Sequence, residues 1–379
     1  MARFDVVVVG LGATGSAALH ALARRGVHAL GIEQFTPGYD RGSSHGESRI
    51  IRLGYFEHPS YVPLLRRAYA LWRELEAAAA TKLLHITGIA GIGPPDGEVV
   101  SGTLAASRLH GLPHEVMDAA ETMRRFPAFN IPADHVGVFQ PDGGFIAAEP
   151  ALAAMLAQAQ DFGAEIRTGV TVLSVAPHGQ GVRVRTSGGD IDAGSAIVAA
   201  GPWIGQLLPA LPAPLRVTRQ VMAWFTPRDP APFSVGRFPV FLLESRHGIH
   251  YGFPPFGNGT IKVAKHHHAD ATAEPDRVDR AVTADDEALI RAALADHIPA
   301  ASGPLAAAKT CLYTVTPDRD FIIDRVPGAP AIVAASPCSG HGFKFAPAIG
   351  EILADLATSG GSGQETGYDI GRFRLSRFY

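Results

Sequence analysis

The chain opens with a regular alternation of apolar and polar segments. Phe4–Val9 is a short β-branched run of the kind found in buried parallel strands. The alanine-rich segment Ser16–Arg25 has the composition of a helix and stops at Gly26. A second apolar run, Ala29–Ile32, predicts another strand, and the acidic residue Glu33 follows it. The order strand, helix, strand predicts the start of a nucleotide-binding α/β unit.

The turn between the first strand and the helix carries Gly10, Gly12 and Gly15 in the GxGxxG spacing. In such a motif the first glycine permits a tight turn, the second lets the backbone approach a pyrophosphate, and the third lets the helix pack on the strand. Phosphates bind at the helix N-terminus, and Glu33 is expected to accept hydrogen bonds from ribose hydroxyls. The motif predicts dinucleotide binding, but FAD and NAD both present an ADP half to it.

Similar patterns return later in the chain. They predict a helix at Ala151–Phe162, strands at Glu165–Arg167, Val170–Val175, Val182–Thr186 and Ala196–Gly201, a late strand at Ala331–Ala335, and a helix at Pro347–Ala357. Because a buried strand appears so late, we expect the chain to leave the nucleotide-binding unit and return to it.

Composition narrows the possible functions. With 379 residues, 46% of them hydrophobic, the chain exceeds the usual size of one core, so two domains are expected. A formal charge of −3 without long Lys/Arg runs argues against a nucleic-acid partner. The apolar stretch Val6–Ala23 is interrupted by glycines and has no basic leader, so we expect no signal peptide and no membrane span. Two cysteines do not form a disulfide framework, which favours a cytoplasmic location.

Four further segments carry candidate chemistry. They are Gly42–Arg52, Tyr251–Pro254 with Lys262, Lys309–Thr314, and Ser339–Phe345. In this order, and spread over nearly the whole chain, they closely resemble the monomeric sarcosine oxidase and N-methyltryptophan oxidase family, which belongs to the D-amino-acid-oxidase-like flavoproteins.

The resemblance implies an α/β (α+β) fold in which a Rossmann-like FAD-binding domain is interleaved with a substrate domain built on an antiparallel sheet. The FAD-binding domain would comprise residues 1–82, 148–215 and 311–379, and the substrate domain residues 83–147 and 216–310. It also implies a monomer with the substrate pocket between the domains, a common location for ligand sites.

The activity implied is the oxidation of a small secondary amino acid by FAD, with O2 as acceptor and H2O2, an aldehyde or keto acid and the free amine as products. Sarcosine is the first substrate expected, followed by N-methyl-tryptophan, iminodiacetate-like compounds and cyclic imino acids. A flavin dehydrogenase that uses an electron carrier and a flavin-binding subunit without turnover remain alternatives. An NAD-dependent dehydrogenase would leave the Gly42–Arg52 segment, Cys311 and the Gly340–Lys344 segment unexplained.

The resemblance also assigns roles to single residues. Arg52 and Lys344 would bind the substrate carboxylate, the arginine through two parallel hydrogen bonds and the lysine as a point charge. Lys262 would activate oxygen; since Ile261 and Val263 alternate with it, we expect them on a buried face and Lys262 on the other. Cys311 would hold the flavin through a covalent thioether.

The remaining candidates surround these four residues. His45, Ser48 and Arg49 would contact or polarise the flavin ring, while Tyr251, Tyr313 and His266 would line the substrate pocket. A metal site at His266–His268 is not expected, because adjacent residues on a strand point to opposite faces. Other cofactor-binding candidates are Ser43, Val170, Gly201, Gly340, Gly342 and Phe343, and Cys338 is a second thiol near this last group.

Overall fold

The computed structural model describes residues 4–234, 236–359 and 366–379. This part of the chain contains nineteen β-strands and eight α-helices. The strands are β1 Phe4–Val9, β2 Ala29–Glu33, β3 Ser48–Ile51, β4 Leu84–Ile86, β5 Ile89–Gly93, β6 Glu115–Asp118, β7 Val136–Gln140, β8 Gly144–Ala147, β9 Glu165–Thr168, β10 Val172–His178, β11 Gly181–Thr186, β12 Gly189–Val198, β13 Arg216–Phe225, β14 Val240–Ser245, β15 Gly248–Phe256, β16 Thr260–Lys265, β17 Leu305–Val315, β18 Ile322–Val326 and β19 Ala329–Ser336. The helices are α1 Ala13–Arg24, α2 Val62–Ala79, α3 Glu98–His110, α4 Ala119–Arg125, α5 Ala148–Asp161, α6 Ile204–Leu207, α7 Ala284–His297 and α8 Ala346–Thr358.

The first sheet is built around β1, which pairs in parallel with β2 on one side and β12 on the other. Its strands run in the order β10-β11-β12-β1-β2-β9, and β19 adds to β12 in parallel while β18 pairs with β19. Helix α1 packs against α5 and α8. Its contact with α8 is so close that Gly350 of α8 lies against the backbone of Ala17 of α1. The sheet therefore takes strands from widely separated parts of the chain, as expected from the late strand in the sequence.

The second sheet has the order β17-β13-β16-β15-β14-β5-β7-β6. All of its neighbours pair antiparallel except β14 and β5. One face carries a core shared with α7, in which Val221, Phe225, Phe241 and Ile261 are buried. A small antiparallel sheet, β3-β8-β4, contains the end of the Gly42–Arg52 segment.

The predicted α/β class with a mainly antiparallel second sheet is confirmed. Several predicted boundaries were wrong: α1 begins at Ala13 within the glycine motif, α5 begins at Ala148, and β10 spans Val172–His178. β12 ends at Val198, so Gly201 opens a short 3-10 turn. The two-domain division stays a prediction, and its boundary at residue 311 falls inside β17 of the second sheet. Among the helices of the described ranges, none combines the length and apolar character that crossing a membrane requires.

Candidate active site

A cavity of about 310 Å³ lies between the two large sheets. On one side it is lined by residues at the carboxyl ends of β1, β2, β12 and β19, and on the other by side chains of β14, β15 and β17. Ligands of open α/β sheets bind at this end of parallel strands. The lining includes Glu33, Arg49, Arg52, Cys311 and Lys344, so the sequence candidates from distant segments meet in one place.

The glycine motif shapes the nucleotide end of the cavity. Gly10 has a φ of +87°, and a Cβ atom there would lie 2.7 Å from the carbonyl oxygen of Ala199. A Cβ atom at Gly15 would lie 1.7 Å from the carbonyl oxygen of Gly10, so only glycine fits where the helix meets the turn. Gly12 lines the cavity as the N-cap of α1 and has no side chain to cap the first turn. The N–H groups of this turn therefore suit a bound pyrophosphate.

Glu33 ends β2 in the same part of the cavity. Its Oε2 accepts a hydrogen bond from Leu11 N at 2.8 Å and its Oε1 accepts one from Phe35 N at 3.1 Å. Burial raises the pKa of this carboxyl, and the backbone donors oppose that rise. Because each carboxylate oxygen has a second lone pair, Glu33 can also accept from ribose hydroxyls. Val170 and Gly201 line the same cavity.

Arg49 organises the loop of residues 42–49, which we call the arginine loop. Its Nη2 donates to the carbonyl oxygens of Ser43 at 2.9 Å and His45 at 2.5 Å, and its Nη1 donates to that of Ser48 at 2.9 Å. The same Nη2 lies 4.0 Å from Cys311 Sγ. The guanidinium thus fixes the loop while it stands beside the thiol.

His45 is an unusual imidazole, because both of its ring nitrogens are buried without a hydrogen-bond partner among the described residues. Burial, followed by the charge of Arg49, lowers its pKa to about 3, so the ring is neutral near pH 7. A neutral imidazole has one donor and one acceptor to offer. Buried polar atoms of this kind call for a partner, but His45 is not among the residues that line the cavity.

Cys311 lies in β17 and lines the cavity with its side chain almost fully buried. Burial raises the pKa of its thiol, while the charges of Arg49 and Lys262 lower it. Cys338 also lines the cavity, and its Sγ accepts a hydrogen bond from Thr314 N at 3.2 Å. Two thiols therefore face the same site, of which only Cys311 stands beside Arg49.

Arg52 is buried with 2% of its surface exposed. Its guanidinium carbon lies 4.4 Å from the ring centre of Tyr55 and 4.5 Å from that of Phe56, and its Nη2 lies 2.6 Å from Glu57 Oε2. Burial raises the pKa of Glu57, but the charge of Arg52 and the cations around it bring the value down to about 2. Sequence analysis missed Glu57, although an acid so close to the predicted anion-binding arginine was a usable signal.

Lys344 is buried near Arg52. Its Nζ donates to the carbonyl oxygen of His341 at 2.7 Å and lies 5.1 Å from the ring centre of Tyr55. Burial, followed by the charge of Arg52, lowers its pKa to about 7, and Glu57 opposes that change. Two cations and one carboxylate are therefore gathered at this wall of the cavity.

Lys262 corrects one expectation about its strand. The alternation in β16 predicted a buried face and an opposite face for Lys262, whereas both faces of the strand are buried and Lys262 is only 3% exposed. The neighbouring strands supply the cover, since Trp224 of β13 and Phe253 of β15 stand opposite Lys262 in register. Its Nζ lies 5.6 Å and 4.7 Å from the centres of these rings.

Tyr251, Tyr313 and His266 line the substrate end of the cavity together with Leu242 and Phe253. Burial raises the pKa of both tyrosines and keeps that of His266 well below its ordinary value. These three polar side chains are therefore neutral at pH 7.

The histidine run was assigned to a strand wrongly. β16 ends at Lys265, and His267, with a φ of +53°, lies in the turn that follows. His268 Nε2 instead lies 3.0 Å from Asp286 Oδ1. No group of three potential metal ligands occurs within the described part of the chain.

Comparisons with known proteins identify the family of the chain. A model of the FAD dependent oxidoreductase family matches residues 5–356. A monomeric sarcosine oxidase from Streptomyces avermitilis is 41% identical over 98% of this chain and 96% of its own length. An N-methyl-L-tryptophan oxidase from Salmonella typhi is 35% identical over 99% of both chains. The open form of NikD, an amino acid oxidase essential for nikkomycin biosynthesis, superimposes with a TM-score of 0.86 at 29% identity, covering 99% of this chain and 98% of that one.

Proposed function

Since this chain belongs to the family of FAD-dependent oxidoreductases, we propose that it is an amine oxidase of small secondary amino acids, with sarcosine as the first candidate. The observation that carries the proposal is the pair of buried cations, Arg52 and Lys344, on one wall of the cavity that Arg49 and Cys311 also line. A small anion bound to the pair would stand next to the cofactor site. FAD, when bound, supplies the hydride acceptor for C–N oxidation.

The substrate carboxylate would be held by the two cations. Arg52 offers a planar guanidinium for bidentate hydrogen bonds. Lys344 offers a point charge, and its Nζ would give up its hydrogen bond to His341 O to bind the carboxylate. The charge of Arg52 is balanced by Glu57. A carboxylate bound between the cations would raise the pKa of Lys344 and keep it charged.

The amine end of the substrate would meet neutral groups. Tyr251, Tyr313 and His266 are uncharged at pH 7, and Leu242 and Phe253 add apolar surface. The charge of Glu57 acts on His266 but is offset by Arg52. This wall therefore gives little stabilisation to an ammonium ion, so it favours the unprotonated amine that oxidation requires. The same apolar surface suits an N-methyl group or another short N-substituent.

Covalent attachment of FAD through Cys311 and the use of O2 as acceptor are parts of the same proposal. Cys311 is supported by its position in the cavity beside Arg49, whose charge favours the thiolate. Oxygen is supported by the buried cation of Lys262 close to the arginine loop, because negative charge develops as O2 is reduced.

The test uses the purified holoprotein. After acid precipitation, flavin that stays with the pellet would support the thioether, and Cys311→Ser should release it, whereas the matched Cys338→Ser should retain it. A peroxide assay against sarcosine, N-methyl-tryptophan, iminodiacetate and pipecolate then ranks the substrates. A protein that yields no peroxide with any secondary amino acid under air, yet reduces a dye carrier, would contradict the oxidase proposal and favour a dehydrogenase.

A further inference from the structure

Lys262 donates its hydrogen bonds to a single turn, formed by residues 46–48. Its Nζ donates to Gly46 O at 2.5 Å, to Ser48 O at 2.8 Å and more weakly to Ser48 Oγ at 3.3 Å. Burial lowers the pKa of Lys262 well below its ordinary value. The three acceptors of the turn match the three donors of a lysine ammonium, so they favour the charged form. The position of the charge is therefore set by the shape of the turn centred on Glu47.

That turn has a strained backbone. Ser48 N donates to Gly46 O at 2.8 Å, which closes a γ-turn, and the central residue Glu47 has a φ of +68°. A γ-turn with positive φ is rare and costly for a residue other than glycine. Such a conformation persists only where its surroundings hold it.

The residue that holds this turn in place is Glu149, which lies in the first turn of α5. Its Oε1 accepts from Gly46 N at 2.6 Å and its Oε2 accepts from Glu47 N at 3.0 Å, so one carboxylate holds two consecutive peptide groups. Ala148 N adds a hydrogen bond to Glu47 O at 2.9 Å, and Trp224 Nε1 donates to the Glu47 carboxylate at 2.8 Å. Hydrogen bonds to a carboxylate are the stronger kind, and Glu149 is the carboxylate that accepts them from the backbone of the turn.

We propose that Glu149 is a positioning residue for Lys262: its carboxylate maintains the strained turn whose carbonyl oxygens fix the lysine ammonium. Glu149 lies outside the cavity lining, and it acts on Lys262 both through the turn and through the attraction between its carboxylate and the ammonium. The consequence for the reaction with O2 rests on the function proposed above. The proposed positioning of Lys262 does not depend on that function, because the position of this charge would affect the stability of any anion that forms near the flavin.

The first measurement is the affinity of the oxidised holoprotein for sulfite, which adds to flavin as an anion and bleaches its absorbance. We expect Lys262→Met and Glu149→Gln each to weaken sulfite binding about tenfold, or about 1.4 kcal/mol. In Lys262→Met protein, Glu149→Gln should add less than about twofold, because two residues that act through one another are not additive.

Glu76→Gln is the matched control. Glu76 Oε2 also accepts from two consecutive backbone groups, Leu83 N at 2.8 Å and Leu84 N at 2.7 Å, at the other side of the small sheet. It should lower the melting temperature without changing the sulfite affinity. The proposal would be overturned if Glu149→Gln weakened sulfite binding equally with and without the Lys262 ammonium. It would also be overturned if Glu149→Gln lowered the stability and left the sulfite affinity unchanged.

A second variant covers poor folding of Glu149→Gln. Glu149→Asp keeps the charge on a shorter side chain, and should give an intermediate sulfite affinity that again depends on Lys262. If Glu149→Asp weakened sulfite binding equally in protein with Lys262 and in Lys262→Met protein, the proposed role of Glu149 would be wrong.

Stopped-flow reoxidation of the same variants separates the two proposals. Under the proposed function, Lys262→Met and Glu149→Gln slow reoxidation by O2 far more than flavin reduction by substrate. If reduced wild-type protein reacts with O2 no faster than Lys262→Met, the role of oxygen fails, while the sulfite measurements still decide the role of Glu149.

Discussion

At the scale of single residues, the most consequential group is Lys344. A buried lysine with a pKa of about 7 loses its charge within the physiological range, unlike an exposed lysine. Burial and Arg52 both disfavour the ammonium, and a bound carboxylate would reverse the balance. Anion binding at this wall is therefore coupled to the uptake of a proton.

This coupling predicts a pH dependence. A simple carboxylate without an amine, such as acetate, should bind with nearly constant affinity below pH 7 and lose about tenfold per pH unit above it, because protonated Lys344 is then depleted. Titration of the flavin spectrum at several pH values measures it. Lys344→Met should bind more weakly with a flat profile, and a sloping profile in that variant would assign the proton to another group.

Sequence predicted the residues of this site better than their surroundings. Arg52, Lys344, Cys311 and His266 belong to recognisable segments, and the fold brings them to one cavity. Glu149 was missed because its importance lies in contacts across the fold, and a lone carboxylate in sequence predicts no partner. Glu57 is close to Arg52 in the sequence and was within reach of the prediction.

At the scale of elements, the strap of residues 266–283 joins β16 to α7 across the edge of the cavity. Asp276 of the strap lines the cavity and accepts hydrogen bonds from Trp203 Nε1 at 2.7 Å and Gln206 Nε2 at 2.9 Å. Arg280 donates to the carbonyl oxygens of Asp40 at 3.2 Å and Arg41 at 2.8 Å. The strap thus ties the second sheet to the nucleotide end of the site.

The strap should therefore control how long FAD stays bound when the covalent bond is absent. In Cys311→Ser protein, Asp276→Ala should release FAD about tenfold faster, measured by the rise of free flavin fluorescence after dilution, since about 1.4 kcal/mol of anchoring is lost. Asp279→Ala is the control, because the Asp279 carboxylate bonds to Ala281 N of the strap itself. Similar release rates from both variants would indicate a general loosening of the strap.

Element types were easier to predict than element ends. The helix predicted at Ser16–Arg25 exists, but it starts three residues earlier because the glycine motif forms its first turn. Metal binding at His266–His268 was not expected because side chains on a strand alternate between its two faces. That reason was wrong, since β16 ends at Lys265 and His267 lies in the left-handed region. Apolar periodicity reports which face is buried, and it carries little information about the hydrogen bonds that end a strand.

At the scale of the whole molecule, the cavity is shared by both large sheets. Glu33 comes from the first sheet and Cys311 from the second, and both line the cavity, so a cofactor that fills the cavity would contact both sheets. Stabilisation by a ligand grows with its free concentration over its dissociation constant, to about 2.7 kcal/mol at a hundredfold excess.

FAD should accordingly raise the melting temperature of the entire chain. In calorimetry of Cys311→Ser protein, added FAD should shift a single transition upward in proportion to the logarithm of its concentration. An FMN addition at equal concentration is the control, because FMN lacks the ADP half that Glu33 and the glycine motif accommodate. Two transitions of which only one moves with FAD would mean that the halves unfold separately.

The late return of the chain to the first sheet has a consequence for synthesis on the ribosome. β1 is made first, yet its partner β12 spans Gly189–Val198, and β12 in turn pairs with β19 at Ala329–Ser336. A nascent chain that has already exposed the glycine motif therefore lacks the strands that complete the sheet until most of the polypeptide has been translated. Pairing over such sequence distances is slow and leaves strand edges open. Cofactor capture is thus a late event, and the growing chain depends on protection from aggregation until β19 emerges.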